Sequence, residues 1–264
     1  MLPNFLLIGG QRCGTTWIYS SLLSHPSIYM PQKKELHFFD KYYEQGIEYY
    51  TSFFQKANNE YLKGEATPDY LCCELCPERI QSVIPDARFI VVFRNPIDRS
   101  YSAYWMFRDF FQGLSFEQAL EKFPALLYCG EYIEHIQGWL QFFSRDQFLI
   151  LVYDDLQKDS AKTINSIYDF LGLESVQLSQ PEATNAAIFP RLQNWLSKKD
   201  LLWIVSIVKK TPANRFLRYL YTKKGFGKYP PMKRSAREHL INHFSEYNRQ
   251  LAVFLNRDLS HWNE

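Results

Sequence analysis

A glycine-rich turn with a single cation stands near the amino terminus, between a short apolar run and a segment of helix-favouring composition. The turn reads Gly9-Gly10-Gln11-Arg12-Cys13-Gly14-Thr15-Thr16. A turn of this kind between a strand and a helix presents backbone N–H groups and the positive end of the helix dipole to an anion. Gly9 and Gly14 have the spacing of a nucleotide P-loop, but Thr15 stands where that loop has its phosphate-binding lysine. The turn therefore predicts a phosphate site whose side-chain charge comes from Arg12.

A second cation follows another apolar run and predicts a second phosphate contact. Arg94 comes directly after Phe89–Phe93, at the carboxyl edge where open α/β sheets bind their ligands. Ser102 lies about two helical turns further on, so a guanidinium and a hydroxyl can converge on one anion. The alternative is that Arg94 pairs with a carboxylate such as Asp98 and that Ser102 has no binding role.

Short apolar runs alternate with helical patterns, and this alternation predicts the scaffold for both sites. Runs at 5–8, 89–93 and 148–153 have the length and composition of buried parallel strands. Helices are predicted at 15–24, at 131–143, at 164–171 before Gly172, from Asn95-Pro96, and from a capping box at Ser235–Glu238 through Leu251. The pattern indicates one α/β domain over residues 1–264, with an open, mostly parallel sheet and a P-loop-like phosphate loop, flanked by helices.

Composition restricts the classes of function. The chain has 264 residues, and its 30 basic and 28 acidic side chains leave a net charge of +2. This balance excludes a polycationic surface for nucleic acid and leaves room only for local anion sites. No run reaches the ~18 apolar residues of a membrane span, and the amino terminus lacks the features of a signal peptide. Because five irregularly spaced cysteines do not make a disulfide framework, we expect a reduced, cytoplasmic protein.

Taken together, the motifs resemble a known family. The stretch Leu7–Trp17 is similar to the 5'-phosphosulfate loop of sulfotransferases that use 3'-phosphoadenosine 5'-phosphosulfate (PAPS), and Phe93–Ser102 resembles their 3'-phosphate motif. Lys33–Asp40 (KKELHFFD) and Gly64–Tyr70 (GEATPDY) resemble segments of heparan sulfate N- and 3-O-sulfotransferases and their bacterial relatives. Lys224–Pro230 (KGFGKYP) resembles the late loop that closes over the nucleotide.

The resemblance implies an enzyme that moves a sulfuryl group from PAPS to an acceptor, releases adenosine 3',5'-bisphosphate and needs no metal. The residues it assigns to the nucleotide are Gln11, Arg12, Cys13, Gly14, Thr15, Thr16, Trp17, Arg94, Ser102, Lys224, Gly225, Phe226, Gly227 and Lys228. Arg12 would also stabilise the charge that grows on the departing 5'-phosphate. The family usually has lysine at this position, and arginine cannot give up a proton as readily.

The same resemblance makes Glu35 the general base and His37 a further catalytic candidate. Apolar neighbours, Leu36, Phe38 and Phe39, are expected to raise the pKa of Glu35 toward neutrality. The alternative is that Glu35 pairs with an adjacent lysine on a solvated loop. In an extended segment His37 falls on the same side as Glu35, where it either orients the acceptor or has a structural role. Which of the two is the base stays open.

The acceptor is expected to carry a hydroxyl, less readily an amine, and to be a small molecule, a lipid or a glycan. The 21 Phe, 18 Tyr and 6 Trp favour a small or lipid-like acceptor. Relatives that act on heparan sulfate often have lysine at the position of Ala66, and its absence here disfavours a long polyanion. Glu65 is a weaker candidate for a direct contact.

Two other classes of protein are kept as alternatives. One is a phosphotransferase of the P-loop type, against which the missing lysine and the Arg94–Ser102 pair argue. The other is a non-catalytic nucleotide-binding relative, against which the presence of Arg12 and Glu35 argues. The pairs Cys73/Cys76 and His239/His243 lack the further ligands of a zinc site, so no metal is predicted.

Overall fold

A five-stranded parallel sheet forms the centre of the protein, whose computed structural model describes residues 1–59, 61–176 and 229–264. The strands lie in the order β2-β3-β1-β4-β5. Their bounds are β1 Phe5–Gly9, β2 Ile28–Tyr29, β3 Leu62–Ala66, β4 Arg88–Phe93 and β5 Phe148–Val152. Every pairing is parallel, with Phe5 opposite Gly64 on one side and Arg88 on the other. The predicted open parallel sheet is confirmed.

Helices connect the strands and pack on both faces of the sheet. In the described part of the chain they are α1 Thr15–Leu23, α2 Gly46–Ser52, α3 Cys76–Val83, α4 Pro96–Met106, α5 Phe116–Lys122, α6 Ala125–Tyr128, α7 Tyr132–Trp139, α8 Tyr153–Lys158, α9 Ser160–Leu171 and α10 Arg234–Leu255. Asn95 caps α4 as predicted, since its side chain accepts a hydrogen bond from the Ile97 N–H at 3.0 Å. Gly172 ends α9 with a φ of 74°, the left-handed conformation expected of a helix-terminating glycine.

Two predictions about helix ends are wrong. The capping box at Ser235–Glu238 does not form, because α10 already begins at Arg234, after Lys233. Glu238 instead pairs with the Arg234 guanidinium at 2.7 Å, an i,i+4 contact within the helix. Helix α7 ends at Trp139 rather than extending to residue 143, although Phe143 is buried as the apolar stripe requires.

The central strands are buried on both faces, which explains why they read as unbroken apolar runs. Along β1, Leu6 and Ile8 join the core on one face, whereas Phe5 and Leu7 join the core on the other. Strand β4 divides its side chains between the two cores in the same way. This alternation follows from the two-residue period of a strand.

The carboxyl ends of β1, β3 and β4 lie next to one another, because β1 pairs with both β3 and β4. The residues that follow these strands therefore meet at one edge of the sheet: the turn 10–14, the turn 67–72 and the Arg94-Asn95 corner. Open α/β sheets bind their ligands at such an edge.

The chain divides into two compact units, one of Met1–Pro181 with Met232–Glu264 and one of Glu182–Pro231. The sheet and all the described helices belong to the first unit. The second lies outside the described residues except for 229–231, so the single domain over 1–264 stays a prediction. Among the helices that the structure describes, none is both long and apolar enough to cross a membrane.

Candidate functional site

The turn between β1 and α1 is held in place by its backbone. The Gly10 N–H donates to the Val92 carbonyl of β4 at 2.7 Å, which fixes the turn against the neighbouring strand. Gly14 precedes α1 with a φ of 87°, and a Cβ there would come within 2.8 Å of Leu156 and 2.9 Å of Tyr153. Only glycine meets both conditions. Gly14, the N-cap of α1, gives the first turn no side-chain hydrogen bond, and the start of such a helix is a place where an anion can bind.

Arg12, Arg94 and Ser102 are brought together beside this turn. The Arg12 Nε donates to the Ser102 hydroxyl at 3.0 Å, and one of its terminal nitrogens lies 3.2 Å from the Met106 sulfur. Arg94 donates to the Arg12 carbonyl at 3.0 Å, and its guanidinium lies 5.0 Å from the centre of the Tyr153 ring. The residues predicted for two separate phosphates therefore form one contiguous group, with the Arg12 side chain directed at Ser102.

The alternative partner proposed for Arg94 is engaged elsewhere. The Asp98 carboxylate lies 3.7 Å from the Arg237 guanidinium of α10. Both side chains are substantially exposed, so this pair contributes at most ~1 kcal/mol to stability. Arg94 instead makes its contacts with the turn after β1, as a phosphate-binding arginine would.

The other side chains of the turn face in different directions. Cys13 is buried, its sulfur lies 3.7 Å from the Tyr132 hydroxyl, and burial raises the pKa of its thiol. Thr15 is also buried, Trp17 is half-buried and Thr16 is exposed. The Cys13 N–H donates to the Gly10 carbonyl at 3.2 Å, so this residue closes the turn with its backbone.

Asp69 links the predicted phosphate turn, residues 10–14, to the segment that carries His37 and Asp40. It lies in the short helical turn Pro68–Cys72 that follows β3, and its carboxylate accepts a hydrogen bond from the Gln11 side chain at 3.2 Å. One oxygen of Asp69 lies within 4.8 Å of the ligand atoms of both His37 and Asp40. Burial raises the pKa of Asp69, and the nearby side chains of His37 and Lys41 oppose the increase.

Glu35 is held at the site by its backbone rather than by burial of its side chain. Its N–H donates to the Ala66 carbonyl of β3 at 2.9 Å. The side chain is 47% exposed, and the Lys34 ammonium contacts its carboxylate at 2.5 Å. The apolar neighbours predicted to surround Glu35 point into the core instead: Leu36, Phe38 and Phe39. The apolar surroundings expected for Glu35 are therefore absent, and the contact with an adjacent lysine, which was the alternative interpretation, is present.

His37 and Asp40 form a pair at the start of a single π-helical turn, Phe38–Tyr42. The His37 Nδ1 lies 2.8 Å from the Asp40 carboxylate, and the two side chains are 17% and 11% exposed. If Nδ1 carries the proton and donates to Asp40, Nε2 is left as the basic nitrogen. The three-residue spacing in KKELHFFD was visible in the sequence, but only the π-helical turn brings the two side chains together.

Three candidate residues share an unusual backbone conformation. Arg12, Glu35 and His37 have φ values of 69°, 64° and 55°. In the described part of the chain, only two other residues besides glycine have positive φ: Gln112 and Asn256. A residue with a Cβ in this region costs about 1–3 kcal/mol unless local contacts compensate, and such residues concentrate at functional sites.

Behind the His37–Asp40 pair lies a buried acid, Glu65. It is 1% exposed and accepts hydrogen bonds from the hydroxyls of Tyr50, Thr67 and Tyr70. Burial raises its pKa to about 7, while the three hydroxyls oppose the increase. Sequence reasoning treated Glu65 only as a possible ligand contact and missed Asp40 and Asp69. An acid between Gly64 and Ala66, in the segment that resembles a strand-end motif, was the signal that could have drawn attention to Glu65.

One group of described residues has the donor types of a metal site: His37, Asp40 and Asp69. Hydrogen bonds within the protein already account for much of this arrangement, because Asp40 contacts His37 and Asp69 accepts from Gln11. His243, one of the two histidines on α10, lies 2.9 Å from the Glu131 carboxylate. The predicted closing-loop residues, Lys224, Gly225, Phe226, Gly227 and Lys228, lie outside the described residues.

The fold is that of a class of transferases. Residues 2–248 match the family model for the sulfotransferase domain, and the chain therefore belongs to this family. The full chain superposes on a sulfotransferase from Alicyclobacillus acidocaldarius with a TM-score of 0.75 at 24% identity, covering 100% of both chains. A sulfotransferase domain from the curacin biosynthetic pathway superposes with a TM-score of 0.55 at 15% identity, covering 98% of this chain and 99% of that one. These two likenesses concern the fold.

Among proteins similar in sequence are two groups named for heparan sulfate. The human heparan sulfate glucosamine 3-O-sulfotransferase 6 is 32% identical over 189 residues, which are 66% of this chain and 53% of that protein. The mouse bifunctional heparan sulfate N-deacetylase/N-sulfotransferase 4 is 31% identical over 282 residues, covering 97% of this chain and 30% of that protein. The chain thus spans about half of the first relative and less than a third of the second.

Proposed function

We propose that this chain transfers a sulfuryl group from PAPS to a hydroxyl of an acceptor and releases adenosine 3',5'-bisphosphate. The observation that carries the proposal is the link from Gln11 through Asp69 to His37, because it joins an anion-binding turn to a group of acid–base residues. Family membership supports the class of reaction. PAPS, when bound, supplies the activated sulfuryl group.

The residues of the turn fit a nucleotide with two separate phosphate groups. Two guanidiniums, Arg12 and Arg94, and the Ser102 hydroxyl lie in one contiguous group beside the uncapped start of α1. We assign Arg94 and Ser102 to the 3'-phosphate, and Arg12 with the turn and helix start of residues 11–17 to the 5'-phosphosulfate. Lys224–Lys228 would complete the nucleotide site. Arg12 stays charged throughout, so its contribution is electrostatic rather than proton transfer.

Glu35 is proposed as the general base that takes the proton from the acceptor hydroxyl. Its carboxylate is 47% exposed, so an acceptor can reach it. His37, held by Asp40, would orient the acceptor oxygen with the nitrogen that does not contact Asp40. His37 is the second candidate for the base, because that nitrogen can also accept a proton.

The acceptor class that we propose is a hydroxylated small molecule, lipid or glycan, with an amine as the less favoured nucleophile. The relatives named for heparan sulfate support a glycan, whereas Ala66 in this chain leaves that position without a cation for a polyanionic sugar. No metal takes part in the proposed reaction. A cytoplasmic location is proposed because all five cysteines are free thiols.

Ligand-dependent stabilisation tests the nucleotide assignment. Adenosine 3',5'-bisphosphate should raise the melting temperature without magnesium, and at a hundred times its Kd it would stabilise the protein by about 2.7 kcal/mol. Addition of EDTA should leave this increase unchanged. A larger increase with ATP and magnesium would indicate the P-loop phosphotransferase instead. Transfer of ³⁵S from labelled PAPS to a panel of hydroxylated acceptors then distinguishes an enzyme from a non-catalytic nucleotide-binding relative.

A further inference from the structure

The segment that carries Glu35 and His37 begins its π-helical turn with N–H groups that lack partners within the turn. The first N–H groups of any helical turn need acceptors from outside it. Here the Phe38 N–H donates to the Tyr70 hydroxyl at 2.8 Å and the Phe39 N–H donates to the same oxygen at 3.3 Å. The His37 N–H reaches the Thr67 hydroxyl at 3.5 Å, a long contact. The backbone of this segment is therefore held by two hydroxyls from the end of β3.

Both hydroxyls donate a hydrogen bond to the same buried carboxylate. Thr67 donates to Glu65 at 2.9 Å and Tyr70 donates to it at 3.2 Å, while Tyr50 of α2 donates at 2.6 Å. A hydroxyl has one hydrogen and two lone pairs. Because the Tyr70 oxygen accepts from both Phe38 and Phe39, it can only donate to Glu65.

We propose that Glu65 is a positioning residue for the reaction: through Tyr70 and Thr67 its carboxylate holds the backbone on which Glu35 and His37 stand. The inference rests on the proposed function, because it assigns Glu65 to the same site. A positioning role accounts for two features. An acid is kept inside a buried strand where an amide or apolar side chain would be less costly. The strained φ values of Glu35 and His37 also need surrounding contacts that fix the backbone.

The ionised form of Glu65 is the one that maintains all three links. A protonated carboxyl donates one hydrogen, so one of the three hydroxyls must turn to accept it, and Tyr70 has no lone pair left to do so. The titratable groups facing Glu65 are the Asp40 carboxylate from the π-helical turn and the hydroxyls of Tyr50 and Tyr70. Burial brings the pKa of Glu65 to about 7, so both forms occur near neutral pH.

Two tyrosines provide a matched pair of variants. Tyr70→Phe and Tyr50→Phe each remove one fully buried hydroxyl and one hydrogen bond to Glu65. Only Tyr70 also accepts from the backbone of the Glu35–Asp40 segment. If Glu65 acted on stability alone, the two variants would show the same amide exchange and the same kcat. If Glu65 positions the segment, only Tyr70→Phe should change them.

The experiment measures hydrogen exchange of the amides of 37–39 and compares the two variants with the wild type. Tyr70→Phe should speed exchange at Phe38 and Phe39 at least tenfold, and Tyr50→Phe less than threefold, with equal bisphosphate affinity by calorimetry. In the ³⁵S assay Tyr70→Phe should lower kcat at least tenfold, with donor KM within twofold. Equal exchange in both variants would overturn the proposal.

The exchange readout does not depend on catalysis. If the wild type transfers no sulfate to any acceptor, the proposed function fails, while a difference in exchange between Tyr70→Phe and Tyr50→Phe still supports the positioning of this segment by Glu65. If Tyr70→Phe does not fold, Thr67→Val removes the second link and should speed exchange at the His37 amide. Unchanged exchange in Thr67→Val would then overturn the proposal.

Discussion

The two halves of the site are built in different ways. The phosphate turn is held by neighbours in sequence and by the adjacent strand: a glycine at Gly14, the start of α1 and the hydrogen bond from Gly10 to Val92. The Glu35–Asp40 segment has little regular structure of its own and is held by hydroxyls some 30 residues away in the chain. An anion site can be made from backbone alone, whereas acid–base residues need a scaffold that fixes their side chains.

Because the two halves are held independently, we expect a substitution in one half to leave the property of the other unchanged. The largest effect should come from a change in the proposed base. Glu35→Gln keeps the volume of the side chain and removes its basic oxygen, so turnover should fall by ~10²–10⁴. Bisphosphate affinity should stay within twofold of wild type, because the phosphate turn is untouched. Steady-state kinetics with a competent acceptor measure the turnover, and calorimetry measures the bisphosphate affinity. Turnover within about twofold would remove Glu35 from the mechanism and make His37 the base to test.

The second prediction concerns the buried acid behind the same segment. The pKa of Glu65 is about 7 in the folded protein against an ordinary value of 4.5, so its folded form is favoured while it is protonated. This stability is fully present below about pH 4.5 and is lost as the pH rises through about 7. Glu65→Gln cannot titrate, so the wild type should lose about 3 kcal/mol relative to the variant between pH 4.5 and pH 8.

Urea unfolding of both proteins across this pH range measures the difference. Parallel pH profiles would show that Glu65 titrates in its ordinary range. Because the ionised form is also the one proposed to hold Tyr70 and Thr67, the wild type would give up stability above pH 7 to keep the segment in place. Active sites commonly lower the stability of a protein in this way, because function requires groups that do not favour folding.

The third prediction tests the phosphate half alone. Arg94→Ala should weaken bisphosphate binding by about 1.5–3 kcal/mol, roughly tenfold to over a hundredfold, because a charge-assisted phosphate contact is lost. Calorimetry measures the affinity, and Glu35→Gln is the matched control in the other half. Unchanged affinity in Arg94→Ala would show that the 3'-phosphate is bound elsewhere.

The smallest effect is expected from the ion pair that accompanies Glu35. Lys34→Met keeps most of the apolar length of the side chain and removes the contact with Glu35 at 2.5 Å. Since Glu35 is half exposed and screened by water, the free energy of unfolding should change by at most ~1 kcal/mol. Chemical denaturation checks this value. A much larger loss would mean that the pair, and not the links to β3, holds the segment.

Much of the phosphate half could be predicted from the sequence, since its parts are local. Strand, glycine turn and helix are contiguous at 5–23, and the Asn95-Pro96 helix start is a cap that can be recognised by residue type. The short unbroken apolar runs explain why the central strands were predicted within a residue or two. The capping box at Ser235–Glu238 was wrong because Glu238 finds a partner one turn earlier on its own helix.

For the acid–base half, the sequence predicted which residues take part but not their burial or their hydrogen-bond partners. The sequence by itself determined an α/β chain with a phosphate turn and showed which acidic and basic residues follow it, because periodicity, spacing and residue type are properties of the chain. Only the tertiary structure decided that Glu35 is exposed while Leu36 is buried, that Asp69 joins Gln11 to the His37 side, and that Glu65 lies beneath three hydroxyls. Burial and long-range hydrogen bonds depend on which strands become neighbours, and parallel pairing of β1 with β3 and β4 brings together residues far apart in sequence.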